Sequence, residues 1–152
     1  MQVARTQAAA LGKKLRRQRR KIVFTNGVFD ILHRGHVAYL AKAKSLGDVL
    51  IVGLNSDRSV KKLKGPGRPL QSQADRAAIL SALRSVDYVV VFGEERPDKL
   101  IREIKPDVLV KGADYKLSEI AGARFVKASG GSVRRVRLTR GRSSSELLKK
   151  LG

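Results

Sequence analysis

The sequence predicts an α/β domain in which one parallel sheet is covered by helices on both faces. Short apolar runs alternate along the chain with segments whose apolar residues recur at helical spacing. The run over residues 48–54 is continuously apolar, which is typical of a strand buried in a parallel sheet. Strands that alternate with helices form right-handed βαβ units, and these place helices on both faces of the sheet. With 152 residues, we expect a single domain with a doubly wound parallel five-stranded sheet.

The elements follow in order from this alternation. We expect strands over residues 21–26, 48–54, 88–92, 107–110 and 133–138. We expect helices over residues 4–20, 35–46, 73–83, 97–104 and 143–151, with a further short basic helix that residues 55–57 cap. Helical spacing is carried by Val37, Leu40, Ala41 and Lys44 in the second of these helices and by Ala78, Ile79 and Leu83 in a later one.

The turn after the first main strand concentrates residues suited to binding phosphate. Both histidines of the chain, His33 and His36, stand where this turn enters a helix, with Gly35 between them. A helix N-terminus offers unpaired N–H groups and the positive end of a dipole, and imidazoles add further donors. Gly35 carries no side chain, so the backbone can approach a phosphate closely. Ligands of doubly wound sheets bind beyond the carboxyl ends of the strands, and the sequence therefore predicts a nucleotide site here.

The pattern Gly-x-Phe-Asp-x-x-His-x-Gly-His at residues 27–36 resembles the signature of the nucleotidyltransferase superfamily. Residues 52–57, 63–69, 75–76, 108–115 and 141–145 look like the heptose 1-phosphate adenylyltransferases of lipopolysaccharide synthesis. The resemblance covers about residues 21–151. It implies a Rossmann-like nucleotidyltransferase fold over residues 21–152, preceded by a basic N-terminal helix or arm over residues 1–20.

The same resemblance implies a reaction. ATP and D-glycero-D-manno-heptose 1-phosphate would give ADP-heptose and pyrophosphate, with Mg²⁺ as cofactor. In that family the enzyme is either one domain of a bifunctional sugar kinase–adenylyltransferase or a stand-alone protein. A chain of 152 residues has no room for the kinase, and we therefore expect the stand-alone form.

The resemblance also implies roles for individual residues. The expected catalytic residues are His33, His36 and Lys64. The expected nucleotide-binding residues are Thr25, Asn26, Gly27, Phe29, Asp30, Gly35, Lys111, Gly112, Asp114, Ser143, Ser144 and Ser145. The expected substrate-binding residues are Asn55, Lys61, Arg68, Arg76 and Tyr115. Asp30 is expected to fix the turn or to contact magnesium, because an ionised phosphate acceptor needs no general base.

Two positions depart from the family pattern, and the residue types exclude one kind of site. Arg142 stands where a small or apolar residue is common in the family, and Ser145 stands where threonine is common. We predict no protein metal centre, because two histidines without cysteine lack the usual ligands of a closed zinc site.

The formal net charge is +20, and much of the excess is terminal. Residues 1–21 contain eight Lys or Arg and no Asp or Glu, while residues 124–150 contain nine and one. Such ends bind polyanions through charge alone, without sequence specificity. The absence of cysteine excludes a disulfide framework, and no apolar run is long enough to span a membrane. We therefore expect a cytoplasmic protein. As a separate expectation, the protein forms a homodimer.

Two alternatives remain open. A glycerol-3-phosphate cytidylyltransferase would share the histidine signature and the serine run. A basic nucleic-acid-binding module on the same fold rests on charge alone, and an aromatic content of 5% counts against binding of single strands.

Overall fold

The computed structural model describes residues 1–137 and 144–152, with the backbone alone at residues 144 and 145. The strands are β1 (Gln2–Val3), β2 (Ile22–Gly27), β3 (Val49–Asn55), β4 (Tyr88–Phe92), β5 (Val108–Gly112) and β6 (Ser132–Val136). The α-helices are α1 (Ala8–Arg17), α2 (Arg34–Lys44), α3 (Asp57–Lys64), α4 (Gln73–Ser81), α5 (Asp98–Ile104), α6 (Ala123–Ala128) and α7 (Ser144–Leu151). Short 3₁₀ helices are Arg5–Gln7 and Leu117–Glu119.

The strands form one parallel sheet in the order β1-β4-β3-β2-β5-β6. The predicted α/β class is confirmed, but the sheet has six strands in the described residues where the sequence predicted five. The additional strand, β1, pairs with β4 through Gln2 and Val3 and is too short to show a period of two. From β2 the chain moves outward through β3 and β4, and then returns to the other side of β2 to form β5 and β6. The crevice at this reversal, beyond the carboxyl ends of β2 and β5, is where such sheets bind ligands.

The basic N-terminal segment contains β1, which is an edge strand of the sheet, and α1, which packs on the sheet. Helix α1 buries Ala8, Leu11 and Leu15 in the apolar layer that also contains residues of α5 and α6. Arg5, between β1 and α1, forms ion pairs with Glu94, at 2.6 Å, and with Glu103. Residues 2–17 are therefore integrated into the fold.

Helical spacing predicted α2 and α4 correctly. Some of the apolar residues on which that prediction relied are nevertheless exposed, and other residues of the same helices are buried. Helix α2 buries Tyr39, Leu40 and Ala43, while Val37 is 45% exposed. Helix α4 buries Arg76, Ala77 and Leu80, while Ile79 is 39% exposed. Helix α6 was not predicted, and its six residues are too few to establish a period. No helix in the described part of the chain has the length and apolar character needed to cross a membrane.

Candidate active site

A cleft of about 520 Å³ opens beyond the carboxyl ends of β2 and β5. Most of its lining was predicted from the sequence: Asn26, Gly27, Phe29, Asp30, His36, Asn55, Lys64, Arg68, Lys111, Gly112, Asp114 and Tyr115. Sequence reasoning missed Val28, Tyr39, Leu63 and Glu95. Val28 and Leu63 lie inside the family-like segments but carry no polar group that would have singled them out, and Tyr39 and Glu95 lie outside those segments. The fold thus brings together residues from five separate stretches of the chain.

The two histidines are fixed by hydrogen bonds at the start of α2. His33 is the N-cap residue, and its Nδ1 accepts a hydrogen bond from the Gly35 N–H at 3.1 Å. The His33 N–H in turn donates to Nδ1 of His36 at 3.4 Å, and the ring centroids lie 3.9 Å apart. In a neutral imidazole whose Nδ1 accepts, the proton is on Nε2. This hydrogen-bond pattern assigns Nε2–H as the ring donor of both histidines.

His36 is the histidine that lines the cleft, and it is neutral at pH 7. Burial, followed by electrostatic interactions with the neighbouring His33 and Lys64, lowers the pKa of His36 to about 4. Its ring meets Phe29 edge-on, with 5.4 Å between the ring centroids. His36 therefore serves as a neutral hydrogen-bond donor in a site whose positive charge comes from other residues.

Asp30 holds the loop that follows α3 over the cleft. Its carboxylate, 2% exposed, accepts hydrogen bonds from Arg68 Nε at 2.8 Å and from the N–H groups of Leu70 and Gln71, both at 2.9 Å. Burial raises the pKa of Asp30, but the hydrogen bonds from Gln71, Leu70 and Arg68 outweigh it and the pKa is below its usual value. Of the two roles expected for Asp30, the geometry favours fixing the turn over contacting magnesium, because its oxygens are already engaged.

Arg76 does not line the cleft, and its expected role in substrate binding needs correction. Its side chain is fully buried and donates to the carbonyl oxygens of Val28 at 2.7 Å, Asn55 at 2.9 Å and Gln71 at 3.1 Å. A fourth hydrogen bond, at 2.7 Å, goes to Asp57 Oδ1. Arg76 therefore positions three loops that border the cleft, and these partners occupy its guanidinium.

Thr25 lies beneath the floor of the cleft and has no exposed surface. Its hydroxyl donates to the Val110 carbonyl at 2.9 Å and lies 2.8 Å from the Tyr39 hydroxyl, which is then the donor of that pair. Burial raises the pKa of Tyr39 to about 12, so the phenol stays protonated. Thr25 thus connects β2 to β5 and orients Tyr39, a cleft residue that the sequence did not single out.

Lys111 provides a positive charge at the carboxyl end of β5, beyond the residues that pair with β2. Its Nζ donates to the Asn26 carbonyl at 3.3 Å and lies 4.6 Å from the centroid of the Tyr115 ring. Burial lowers the pKa of Lys111, and the nearby Asp114 carboxylate acts in the opposite direction. Lys111, Gly112, Asp114 and Tyr115 all line the cleft.

The remaining predicted site residues lie in different surroundings. Lys61 is exposed on α3 and does not line the cleft, in contrast to Lys64 at the end of the same helix. Gly35 is buried in the first turn of α2. Ser143 lies outside the described residues, and the backbone of Ser144 and Ser145 begins α7. Among the described residues, no group of three His, Cys, Asp or Glu side chains could hold a metal ion.

Comparison with known proteins identifies the family. Residues 24–141 match the cytidylyltransferase-like family. The chain belongs to this family. Among solved structures, this cytidylyltransferase-like chain is similar to the lipopolysaccharide core biosynthesis protein from Thermoplasma volcanium. The two are 34% identical with a TM-score of 0.65, over 81% of this chain and 99% of the other.

The fold also recurs at lower sequence identity. The pantoate-beta-alanine ligase from Francisella tularensis superposes with a TM-score of 0.66 at 20% identity, over 95% of this chain and 69% of the other. At that identity the likeness concerns the fold alone.

Curated relatives include several proteins named bifunctional protein HldE. The one from Wolinella succinogenes is 56% identical over 98% of this cytidylyltransferase-like chain, and the one from Helicobacter pylori strain J99 is 55% identical over 90%. The one from Paramagnetospirillum magneticum is 52% identical over 96%. The chain spans 29–31% of the length of these three relatives.

Replacing Arg76 with methionine is expected to destabilise the fold and disorder the cleft. Each buried carbonyl left without a donor costs about 1–3 kcal/mol, so we expect at least that loss in the free energy of unfolding. The matched control is Arg58→Met, on the exposed side of α3, which is expected to change stability by less than about 0.5 kcal/mol. Chemical denaturation of both variants measures the difference, and equal stabilities would contradict the positioning role.

The pKa of His36 is expected to rise in Lys64→Met, because removal of this nearby cation lessens the cost of protonating the ring. Lys61→Met is the control, since Lys61 lies on the same helix outside the cleft. NMR titration can follow the ring signals of both histidines separately, because the chain contains only two. The pKa of His36 is the quantity compared between the two variants.

In the unfolded chain the pKa of His36 returns from about 4 to the ordinary 6.5, so between these pH values the unfolded chain binds more protons than the folded one. The free energy of unfolding is therefore expected to fall as the pH falls from 6.5 to about 4, which chemical denaturation at several pH values measures. For the first of these predictions, equal His36 pKa values in Lys64→Met and Lys61→Met would show that Lys64 does not act on the ring.

Proposed function

We propose that this chain transfers the adenylyl group of ATP to D-glycero-D-manno-heptose 1-phosphate, giving ADP-heptose and pyrophosphate. The observation that carries the proposal is the histidine pair at the N-terminus of α2, whose hydrogen bonds leave Nε2–H as the ring donor and whose His36 lines a cleft containing Lys64, Arg68 and Lys111. The relatives named HldE, more than half identical over nearly the whole chain, support this substrate over glycerol 3-phosphate with CTP.

The proposed step is an in-line displacement at the α-phosphorus. An oxygen of the sugar phosphate forms a bond to this phosphorus while the bond to the bridging oxygen of the β-phosphate breaks, and pyrophosphate leaves with that electron pair. The acceptor phosphate is already ionised, so no residue needs to remove a proton. This agrees with Asp30, whose carboxylate is occupied by Arg68 and the backbone.

The protein's contribution is then positioning and stabilisation of negative charge. His36 and His33 donate to the phosphate oxygens from fixed ring orientations, and such preorganised donors lower the barrier because they need no rearrangement. Lys64 and Arg68 provide positive charge in the same cleft, with Arg68 held in place by Asp30. We assign Ser143, Ser144 and Ser145 to the β- and γ-phosphates, and Asp114 and Tyr115 to nucleotide or acceptor.

Mg²⁺ is proposed to enter as the complex with ATP. The described residues provide no cluster of protein ligands for it, and Mg²⁺ is commonly held by substrate phosphates, water and one or two carboxylates. The ion would neutralise phosphate charge during the transfer. Location in the cytoplasm, where ATP is supplied, and assembly as a homodimer complete the proposal.

Pyrophosphate release tests the substrate assignment. With ATP and heptose 1-phosphate we expect turnover well above that with CTP and glycerol 3-phosphate, because polar groups of the cleft left unpaired by a wrong substrate cost about 1–3 kcal/mol each. The crossed pairs, ATP with glycerol 3-phosphate and CTP with heptose 1-phosphate, separate choice of base from choice of acceptor. A preference for CTP with glycerol 3-phosphate would refute the heptose assignment.

His36→Ala is expected to lower kcat about a hundredfold or more, with a smaller effect on KM, because its donor acts on the transition state. His33→Ala should have nearly as large an effect on turnover, and it should also cost about 0.5–2 kcal/mol of stability because His33 caps α2. Arg34→Ala is the control, since Arg34 is exposed on the same turn and does not line the cleft. Steady-state kinetics on folded variants is the measurement, and near wild-type rates in both histidine variants would contradict the assignment.

A further inference from the structure

A strongly basic surface lies at the end of the sheet opposite the cleft, and the proposed reaction makes no use of it. We call it the basic edge and define it as the seven Lys and Arg residues within residues 13–21. Helix α1 buries Leu11 and Leu15 against the core, so its apolar side is already covered and its cations lie toward solvent. All seven are exposed except Arg16, which is partly buried.

Within the described residues, carboxylates do not neutralise the cations of the basic edge. The ion pairs in this part of the chain all involve other cations: Arg5, Lys44, Lys62, Arg68, Arg76 and Arg96. Two nearby acids are used by the backbone, since Asp48 accepts from the Lys21 N–H at 2.7 Å and Asp107 from the Ile22 N–H at 2.8 Å. The positive charge of this surface is therefore available to an external partner.

Part of the basic edge forms a groove of about 460 Å³. Its lining consists of Arg16, Arg19, Arg20, Lys21, Asp107, Gly130 and Ser132, so four cations face one carboxylate, whose Oδ2 already accepts from the Ile22 N–H. Arg16 Nη1 donates to the Ile104 carbonyl, which ties this side chain to the end of α5. Guanidinium groups present pairs of N–H donors that match two oxygens of one phosphate, so the groove suits a phosphate better than a neutral partner.

The basic edge is far from the cleft along the strands. Lys21 directly precedes β2, and the cleft lies beyond the other end of that strand. Six residues of a parallel strand span about 20 Å, so a ligand at the basic edge leaves the cleft open. Binding at the basic edge is independent of the proposed adenylyl transfer, so an experiment can refute either proposal without refuting the other.

We propose that the basic edge binds the phosphate backbone of double-stranded nucleic acid. Single strands are held largely by stacking on aromatic side chains, and residues 13–21 contain none. Membrane-surface helices insert an exposed apolar face, whereas the apolar face of α1 is buried in this fold. A duplex presents a regular array of phosphates that positive charge alone can bind without reading sequence.

The test compares two variants that remove the same charge. The edge variant carries R17Q, R19Q, R20Q and K21Q, and the control variant carries K42Q, K99Q, R124Q and K149Q, all outside the basic edge. Fluorescence anisotropy with a 20-base-pair duplex is recorded at several salt concentrations. We expect the control to bind like the wild type. The edge variant should bind at least tenfold more weakly at low salt, and its slope of log K on log salt should be shallower by about 0.9 for each phosphate that it no longer neutralises.

Melting curves establish that all three proteins are folded. Two parallel titrations, with a single strand of the same length and with phosphatidylglycerol vesicles, distinguish the other polyanions. An equal weakening of binding in both variants would show that binding follows net charge and would overturn the proposal. Tighter binding of the single strand, or binding of vesicles without binding of the duplex, would overturn it as well.

Discussion

The geometry of the cleft depends on one buried guanidinium. Arg76 makes four hydrogen bonds to partners from the histidine turn, the end of β3, the start of α3 and the loop before α4. A buried cation without partners is very costly, so these segments must come together in one arrangement for the side chain to be satisfied. Other arrangements of these loops would leave the buried guanidinium without some of its partners, and the free-energy cost of that favours the observed arrangement.

Gln71 connects this network to a second one at the surface of the cleft. Its carbonyl oxygen accepts from Arg76 at 3.1 Å, and its N–H donates to Asp30 at 2.9 Å. Asp30 also accepts from Arg68 and from the Leu70 N–H. The loop before α4 is therefore fixed by two charged side chains, the Arg76 guanidinium and the Asp30 carboxylate. Because the pKa of Asp30 is lowered, the hold is present at neutral pH and is lost only as the pH falls through that lowered value. The position of Arg68 over the cleft follows from these contacts.

The sequence predicted the features that depend on local chemistry. Apolar runs that alternate with helical segments identify parallel strands, and the turn that contains His33 and His36 is visible because both donors lie within four residues of the chain. The missing features depend on distant partners or on very short elements. Strand β1 has two residues, Arg76 contradicts the expectation that arginine is exposed, and the apolar Val37 lies outward while Tyr39 turns inward to meet Thr25. No pattern along the chain contains the information that Thr25, Tyr39 and Val110 are neighbours.

The positive charge of this protein is of two kinds, which differ in their surroundings. In the cleft, Arg68 is paired with Asp30, Lys111 lies near Asp114, and His36 is neutral. The net positive charge that would face a triphosphate is therefore small, and the groups that carry it are held in fixed positions. A site built this way can favour the charge of one transition state over others, because its donors are fixed before the ligand arrives. The cations of the basic edge take no part in the ion pairs of the described residues, and unpaired surface charge of this kind acts on phosphates over a longer range and without base readout. The first kind of charge serves the proposed adenylyl transfer, and the second is the charge to which we assign the proposed nucleic-acid partner.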